Sequence, residues 1–167
     1  PEVSFHALTV PGADRDVVVV TGEEPSARWK AFTAEVAAVL ATVGVTDVVT
    51  LGAFMGQVPH TLPVPLMGIS NDPDRIGEHQ LFPSEYEGPT GIIGVLNTVL
   101  IGAGIDVVSV WAAVPHYLSG QEYPPGALAL LDKALEVAEV SLDTSDLLVD
   151  VAEFRDQVDD AVEDSDL

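Results

Sequence analysis

Aliphatic runs separated by glycine and proline divide most of the chain into short elements. Residues 17–21 form a β-branched run, which is typical of a strand buried on both faces. A helical pattern follows, and its apolar face comprises Trp29, Phe32, Val36, Val39, Leu40 and Val43. Ser26 is the expected N-cap of this helix, Gly44 ends it, and residues 47–51 form the next strand. The pattern therefore predicts a strand–helix–strand unit of about the length that such a unit requires.

The following segments continue the alternation of strands and helices. Strand patterns occupy residues 3–10, 64–69 and 106–114, and helical patterns occupy residues 91–104 and 124–140. Residues 91–104 are apolar on nearly every side, which predicts a helix that is deeply buried or lies at a subunit interface. Residues 70–89 are polar and irregular, as in a lid, a partner-contact loop or a partly disordered segment. A turn or a short helical start is expected at residues 71–74.

Beyond residue 140 the chain becomes acidic, and its pattern remains helical. A narrow apolar stripe is formed by Leu147, Val151, Phe154, Val158 and Val162. Such a stripe either docks on its own domain or pairs with a helix of another chain, and the pattern leaves both alternatives open. From Asp143 onward there are ten acidic residues and one arginine. We therefore expect an α/β domain over residues 1–140 and an acidic amphipathic helical tail over residues 141–167.

Composition excludes several classes of function but does not identify a particular function. A length of 167 residues fits one ordinary domain, and the absence of cysteine excludes disulfides and thiolate metal sites. The net charge of −21 repels phosphate, and the six basic residues are scattered, so binding to nucleic acid or to an anionic membrane is not expected. No apolar run is long enough to span a bilayer, and we expect a cytoplasmic protein. Because the chain opens at Pro1 without a methionine, the position of the native start stays open.

The tripeptide Val-Pro-His occurs twice, at residues 58–60 and 114–116. Each copy follows a predicted strand, and in a parallel sheet both would lie beyond the carboxyl ends of the strands, where ligand crevices form. Proline fixes the exit angle of each loop and thereby directs the imidazoles of His60 and His116. The repeat therefore predicts that the two histidines share one rim of the sheet.

A metal site at this rim is a candidate with little support from the sequence. His60 and His116 could combine with His79, Glu85 and Glu87, but no pair shows the short spacing typical of metal ligands. Histidines hydrogen-bonded to loop carbonyls are the favoured interpretation, and we expect no metal and no cofactor.

The segment 87–91 contains the other candidate site. Thr90 as an N-cap would leave free backbone N–H groups at a helix start, and Gly91 would let a small anion approach them. Glu87 would repel that anion, so a structural cap is the favoured interpretation. The Gly-x-Ser-x-Gly pattern of a nucleophile elbow is absent, and the sequence identifies no catalytic residue.

Three segments in a fixed order carry a family resemblance. They are Gly-Ala at residues 52–53 with Val-Pro-His-Thr at 58–61, Tyr-Glu-Gly-Pro-Thr-Gly-Ile at 86–92, and Trp-Ala-Ala-Val-Pro-His-Tyr at 111–117. Together they resemble bacterial PAC2 proteins, the proteasome-assembly-chaperone-like family, of the actinobacterial type. The resemblance implies a three-layer α/β/α fold with a mostly parallel or mixed sheet, similar to nucleoside phosphorylases and hydrolases. It also implies assembly into a homo-oligomer.

Relatives in that family act as chaperones or adaptors of the 20S proteasome, so the resemblance implies a non-enzymatic assembly chaperone or scaffold with a proteasome-related protein partner. One feature departs from the family. The chain ends Ser165-Asp166-Leu167, whereas some archaeal relatives end in a hydrophobic-Tyr-any tripeptide that docks on proteasome α-rings. The alternative is a small-molecule-binding or hydrolytic enzyme, and it predicts that His60, Thr90 and His116 converge on one pocket.

Overall fold

The computed structural model describes residues 2–165, which form a mixed sheet, a separate hairpin and five α-helices. The strands are β1 (Val3–Leu8), β2 (Val17–Gly22), β3 (Asp47–Gly56), β4 (Leu66–Ser70), β5 (Phe82–Pro83) and β6 (Asp106–Pro115). The helices are α1 (Trp29–Thr42), α2 (Pro73–Glu78), α3 (Ile92–Gly102), α4 (Pro124–Ala138) and α5 (Ser145–Ser165). The predicted α/β class is confirmed.

The main sheet has the strand order β3-β6-β4-β5 and is built around β6. β3 runs parallel to β6 over ten residue pairs, from Asp47 opposite Asp106 to Gly56 opposite Pro115. β4 runs antiparallel to β6, and β5 runs parallel to β4. Eight of the ten residues of β6 are buried, which agrees with its continuous aliphatic sequence.

Two apolar clusters cover opposite faces of this sheet. On one face, α1 and α3 pack against β6 through Leu40, Leu100 and Val107. On the other face, α4 packs through Val137 against Val108 of the same strand. Because successive side chains of a strand point to opposite faces, β6 contributes alternately to both clusters. The sheet is therefore flanked by helices on both sides.

The predicted order of strand, helix and strand is present as β2, α1 and β3, but the two strands do not pair with each other. β2 pairs antiparallel with β1 in a separate two-stranded sheet, and β3 pairs with β6. Val19 and Val20 are 39% and 38% exposed, so β2 is not buried on both faces. The β-branched run correctly indicates a strand, but its partner is the preceding strand, β1, which the loop of residues 9–16 brings against it.

The start of α1 also differs from the prediction. The N-cap is Arg28, in the left-handed region with φ of 61°, and Ser26 lies outside the helix. The indole N–H of Trp29 donates to the carbonyl of Pro25, which folds the preceding turn back on the helix. A hydrogen bond from a side chain inside the helix therefore stabilises the turn that precedes it, where the pattern predicted a serine cap.

The remaining helices are shorter or more exposed than their patterns predict. α3 begins one residue later and ends two residues earlier than expected, and only Leu100 within it is fully buried. Deep burial of the whole helix is therefore wrong, because α3 covers the sheet with one face only. α4 ends at Ala138 because Glu139 adopts a left-handed φ of 56°. Val39 and Val43, expected on the buried face of α1, are exposed.

The polar segment 70–89 contains more regular structure than its sequence predicts. The expected helical start is confirmed by α2, whose N-cap Asp72 accepts a hydrogen bond from the backbone N–H of Asp74 at 3.1 Å. Leu81 is buried in the core on the α4 side. The next residue, Phe82, is 61% exposed although it lies in β5.

The acidic tail forms α5, which packs on α4. Val151 and Val158 are buried, and the ring of Phe154 meets Tyr123 edge-on with 5.7 Å between centroids. Within residues 2–165 no helix combines the length and hydropathy that crossing a membrane requires. In the terminal tripeptide, Asp166 and Leu167 lie outside the described residues.

Candidate functional site

The two Val-Pro-His segments leave the same edge of the sheet from neighbouring strands. β3 continues five residues beyond its predicted end, and its last residue, Gly56, lies opposite Pro115, the last residue of β6. The first Val-Pro-His follows β3 after one residue, and the second places His116 at the start of a 3-10 turn. Parallel register therefore brings His60 and His116 to one rim, as the repeat predicts.

His60 is buried at this rim, and its polar atoms have partners. Its ring Nδ1 lies 2.7 Å from the hydroxyl of Tyr117, and its backbone N–H donates to the same hydroxyl at 2.8 Å. Its ring Nε2 lies 2.8 Å from Oδ1 of Asp159 on α5. The expected partners were loop carbonyls, and this expectation is wrong: a phenol and a carboxylate bind the ring instead. His60 thereby joins the sheet rim to the tail helix.

A neutral imidazole satisfies this arrangement completely. The Tyr117 hydroxyl accepts from the backbone N–H of His60 and can donate its own proton to Nδ1. Nε2 then carries the ring proton and donates it to the carboxylate of Asp159. In this tautomer every donor faces an acceptor, so a mostly buried histidine has no unpaired ring nitrogen.

His116 lies beside the same tyrosine but is exposed. Its ring meets Tyr117 edge-on with 5.4 Å between centroids, and the ring of His60 meets Tyr117 edge-on at 5.8 Å. Tyr117 therefore contacts both imidazoles. The sequence repeat located both histidines, but the tyrosine that organises them was missed; its position directly after the second histidine was the available signal.

The second candidate segment does not join this cluster. Thr90, Gly91 and Glu87 are exposed in the loop before α3, and no hydrogen bond, ion pair or ring contact links them to His60 or His116 within the described residues. The predicted N-cap role of Thr90 is wrong, because the N-cap is Gly91 and makes no side-chain bond. The Thr90 hydroxyl instead turns toward the carbonyl of Gly91, at 3.4 Å.

The other candidate metal ligands lie apart from the rim. His79 Nδ1 is 3.0 Å from Oε1 of Glu136, and Lys133 binds both Glu136 and the carbonyl of His79. The hydrogen bond from Lys133, reinforced by His79, holds the pKa of Glu136 below its usual value. In the part of the chain that the structure describes, no three histidine or acidic side chains are grouped to hold a metal ion.

On the side of the rim that faces α5, a partly buried tyrosine lies next to an acidic cleft. Desolvation raises the pKa of Tyr123, and the neighbouring Tyr117 raises it further, whereas Arg155 opposes the shift. Tyr123 thus links the rim tyrosine to α5, because it also packs on Phe154. Next to it, Glu122, Asp150 and other residues line an open acidic cleft between the start of α4 and α5. The tail helix therefore places negative charge beside the rim.

An open apolar groove lies on the opposite side of the rim, and sequence analysis missed it. Its volume is 360 Å³, and its lining includes Phe54, Val58, Pro65, Met67, Phe82 and Glu85. These residues come from β3, β4, β5 and the adjoining loops, which are far apart in sequence. Only the aliphatic character of the 63–67 segment could have indicated such a surface. The groove can accommodate an apolar side chain of a partner.

The fold and the rim define an α/β protein with a mixed β3-β6-β4-β5 sheet and paired Val-Pro-His segments at one edge. The sequence pattern of the PAC2 family matches residues 1–162. The chain therefore belongs to the PAC2 family, as its motifs indicated.

Solved structures of bacterial PAC2 proteins agree with this assignment. A PAC2 family protein from Streptomyces avermitilis MA is 41% identical, with a TM-score of 0.88, and the match covers 95% of this chain and 68% of that chain. A proteasome-assembly chaperone homologue from Mycobacterium tuberculosis is 38% identical, with a TM-score of 0.88, and the match covers 95% of this chain and 67% of that one. The chain thus spans about two thirds of the length of these two proteins.

The fold also extends to archaea. Pyrococcus furiosus PbaA, an archaeal homologue of proteasome-assembly chaperone, has a TM-score of 0.67 at 13% identity, and the match covers 92% of this chain and 72% of that chain. At that identity the similarity shows the fold alone. No curated protein matches the sequence.

Proposed function

We propose that this chain is a non-enzymatic assembly chaperone or interaction scaffold that acts in the cytoplasm on proteasome-related partners. The observation that carries the proposal is its membership of the PAC2 family together with 38% identity to the proteasome-assembly chaperone homologue of Mycobacterium tuberculosis. A binding role is supported by the site, because the buried histidine of the rim is engaged in contacts that hold the fold together.

The polar contacts of His60 support this interpretation over acid–base chemistry. Both of its ring nitrogens are engaged, one by Tyr117 and one by Asp159. A general base needs a lone pair directed at a substrate proton, and an imidazole with two internal partners lacks one. The enzyme alternative also required Thr90 at the same pocket, and no polar or ring contact joins it to the histidines.

Exposed apolar side chains near β5 supply the proposed binding surface. Phe82 and Tyr86 are 61% and 69% exposed, and Phe82 lines the apolar groove. Aromatic side chains of this kind contribute much of the binding energy at protein interfaces. We place the contact with a protein partner here and in the groove.

Assembly into a homo-oligomer is part of the same proposal. α3 is built almost entirely of apolar residues, yet only Leu100 is fully buried and Ile101 remains 39% exposed. A second copy would remove such surface from water. Light scattering coupled to size exclusion measures the molar mass directly, and a monomer over the micromolar range would contradict this part of the proposal.

The proteasome link is tested with purified α and β subunits of a bacterial 20S proteasome. The chain is expected to bind the α subunit and to increase the rate of particle formation on native gels. Phe82→Asp is expected to weaken binding about tenfold or more, because it places a charge in an apolar contact. Leu148→Asp is the matched control, since Leu148 is 55% exposed on α5. Unchanged assembly together with no binding would refute the proteasome link.

A further inference from the structure

Within residues 2–165 four strands lie at sheet edges, namely β1, β2, β3 and β5, and the chain joins two of them, β2 and β3, through α1. β2 pairs with β1 on one side, and β3 pairs with β6 on one side; no strand pairs with their other sides within residues 2–165. Apart from Asp47, the first residue of β3, neither edge carries the features that block strand addition, since residues 17–22 and 48–56 contain no proline and no charged side chain. An open, aliphatic edge is a template for another strand.

The hydrogen bonds of β3 identify which of its backbone groups face the open edge. The carbonyl of Thr46 accepts from the N–H of Asp106 at 3.0 Å, so the even-numbered residues of this strand direct their backbone groups to β6. The odd-numbered residues, including Val49, Leu51 and Ala53, therefore direct their N–H and C=O groups outward.

The same reasoning applies to β2. The N–H of Glu23 donates to the carbonyl of Glu2 at 3.4 Å, which places the odd-numbered residues of β2 in hydrogen-bonded pairs with β1. Val18 and Val20 therefore direct their backbone groups to the open side.

The two open edges belong to the same layer of the molecule. Val18 of β2 and Val48 of β3 both pack against the core cluster that α1 and α3 build. α1 also connects the two strands in the chain, as the helix of a strand–helix–strand unit does. In that arrangement the strands lie either side by side or with another strand between them, and β2 and β3 are not paired.

We propose that a further aliphatic β-strand fits between β2 and β3 and joins the hairpin and the main sheet into one continuous sheet. The occupant that we propose is a segment of PAC2 polypeptide beyond these 167 residues. About a third of the Streptomyces avermitilis relative has no counterpart in this chain, although the match covers 95% of the chain. That relative therefore carries polypeptide that can supply the strand.

Side-chain exposure supports the same inference. The β2 sequence is typical of a strand buried on both faces, yet Val19 is 39% exposed. On β3, Leu51 and Met55 are 43% and 53% exposed. Val19 points away from the face that packs on α1 and α3, and Leu51 lies opposite Val110, whose side chain belongs to the α4-side core. All three side chains point away from the cluster that α1 and α3 build, toward a side that an inserted strand and its flanking chain would cover.

Hydrogen exchange with residue resolution tests this proposal independently of any proteasome role. The isotope-labelled chain is coexpressed with the part of the Streptomyces avermitilis protein that the match does not cover. The amides of Val18, Val20, Val49, Leu51 and Ala53 are expected to exchange about 100-fold more slowly in a one-to-one complex. The amides of Thr50 and Gly52, which already face β6, serve as internal controls.

Substitutions at one position separate strand pairing from general destabilisation. Ala53→Pro removes an outward N–H and leaves the β6 ladder intact, so it is expected to abolish the complex. Ala53→Ser keeps the N–H and is expected to retain the complex. Absence of a complex with the unsubstituted chain, or protection of only one of the two strands, would overturn the proposal. Protection of the same amides in the chain alone, increasing with its concentration, would also overturn it and identify a second copy as the occupant.

Discussion

Removal of a single oxygen atom tests whether Tyr117 organises the rim. Tyr117→Phe keeps the aromatic ring but leaves the backbone N–H and Nδ1 of His60 without the hydroxyl that both contact. Each buried polar group left unpaired costs about 1–3 kcal/mol. Tyr117 is 45% exposed, so water can replace part of the loss. We therefore expect a decrease of about 2 kcal/mol in the free energy of unfolding, near the low end of the sum for two groups.

The assay is urea and thermal unfolding followed by circular dichroism. For a chain of this size, about 2 kcal/mol corresponds to a decrease of roughly 4–8 °C in Tm. Tyr86→Phe is the matched control, because Tyr86 is 69% exposed and its hydroxyl makes one 3.3 Å bond to Pro89. Its expected cost is below about 0.5 kcal/mol. Equal stability of the two variants would show that the rim hydrogen bonds do not contribute as we infer.

Two further predictions concern the sheet core and the surface. Ser109→Ala leaves the hydroxyl of Thr50 and the indole N–H of Trp111 without their shared acceptor, and is expected to cost about 2–4 kcal/mol in urea unfolding. Thr50→Val, which removes one donor, should cost less, and the reverse order would contradict the assigned bonds. Glu136→Gln should lower stability at pH 7 by roughly 0.5 kcal/mol or less, because the ion pair with Lys133 is partly exposed. Since the pKa of Glu136 is lowered in the folded state, this difference should be present above its usual pKa of 4.5 and disappear as the pH falls through the lowered pKa; a difference that persists in acid would contradict the assignment.

The sequence pattern predicted most helices and strands correctly, because the residues within each segment largely determine whether it forms a helix or a strand. β6 was recognisable from its aliphatic run, and its burial follows from helices on both faces. The short helix after Asp72 followed from Asp-Pro chemistry at a helix start. The shared rim of His60 and His116 was predictable because parallel strands in register end at one edge.

Contacts between segments that are far apart in the sequence could not be predicted from local sequence patterns. The partner of His60 on α5 is Asp159, one of 27 acidic residues, and nothing in the sequence distinguishes it from the others. The neighbour of β2 could not be predicted, because a β-branched run specifies a strand and leaves its pairing open. The prediction that Thr90 caps α3 was wrong because a hydroxyl next to a helix start can form a hydrogen bond elsewhere. The Thr90 hydroxyl turns to the carbonyl of Gly91, and Gly91 is the N-cap.

The bond between His60 and Asp159 also bears on the order of folding. It joins residues 99 positions apart, so closing that loop carries a large entropy cost before any contact compensates it. The parallel ladder of β3 and β6 brings His60 and Tyr117 to the same edge of the sheet, where Asp159 of α5 then reaches His60. Docking of α5 is therefore expected as a late event, and a chain emerging from the ribosome exposes its rim until the tail helix arrives.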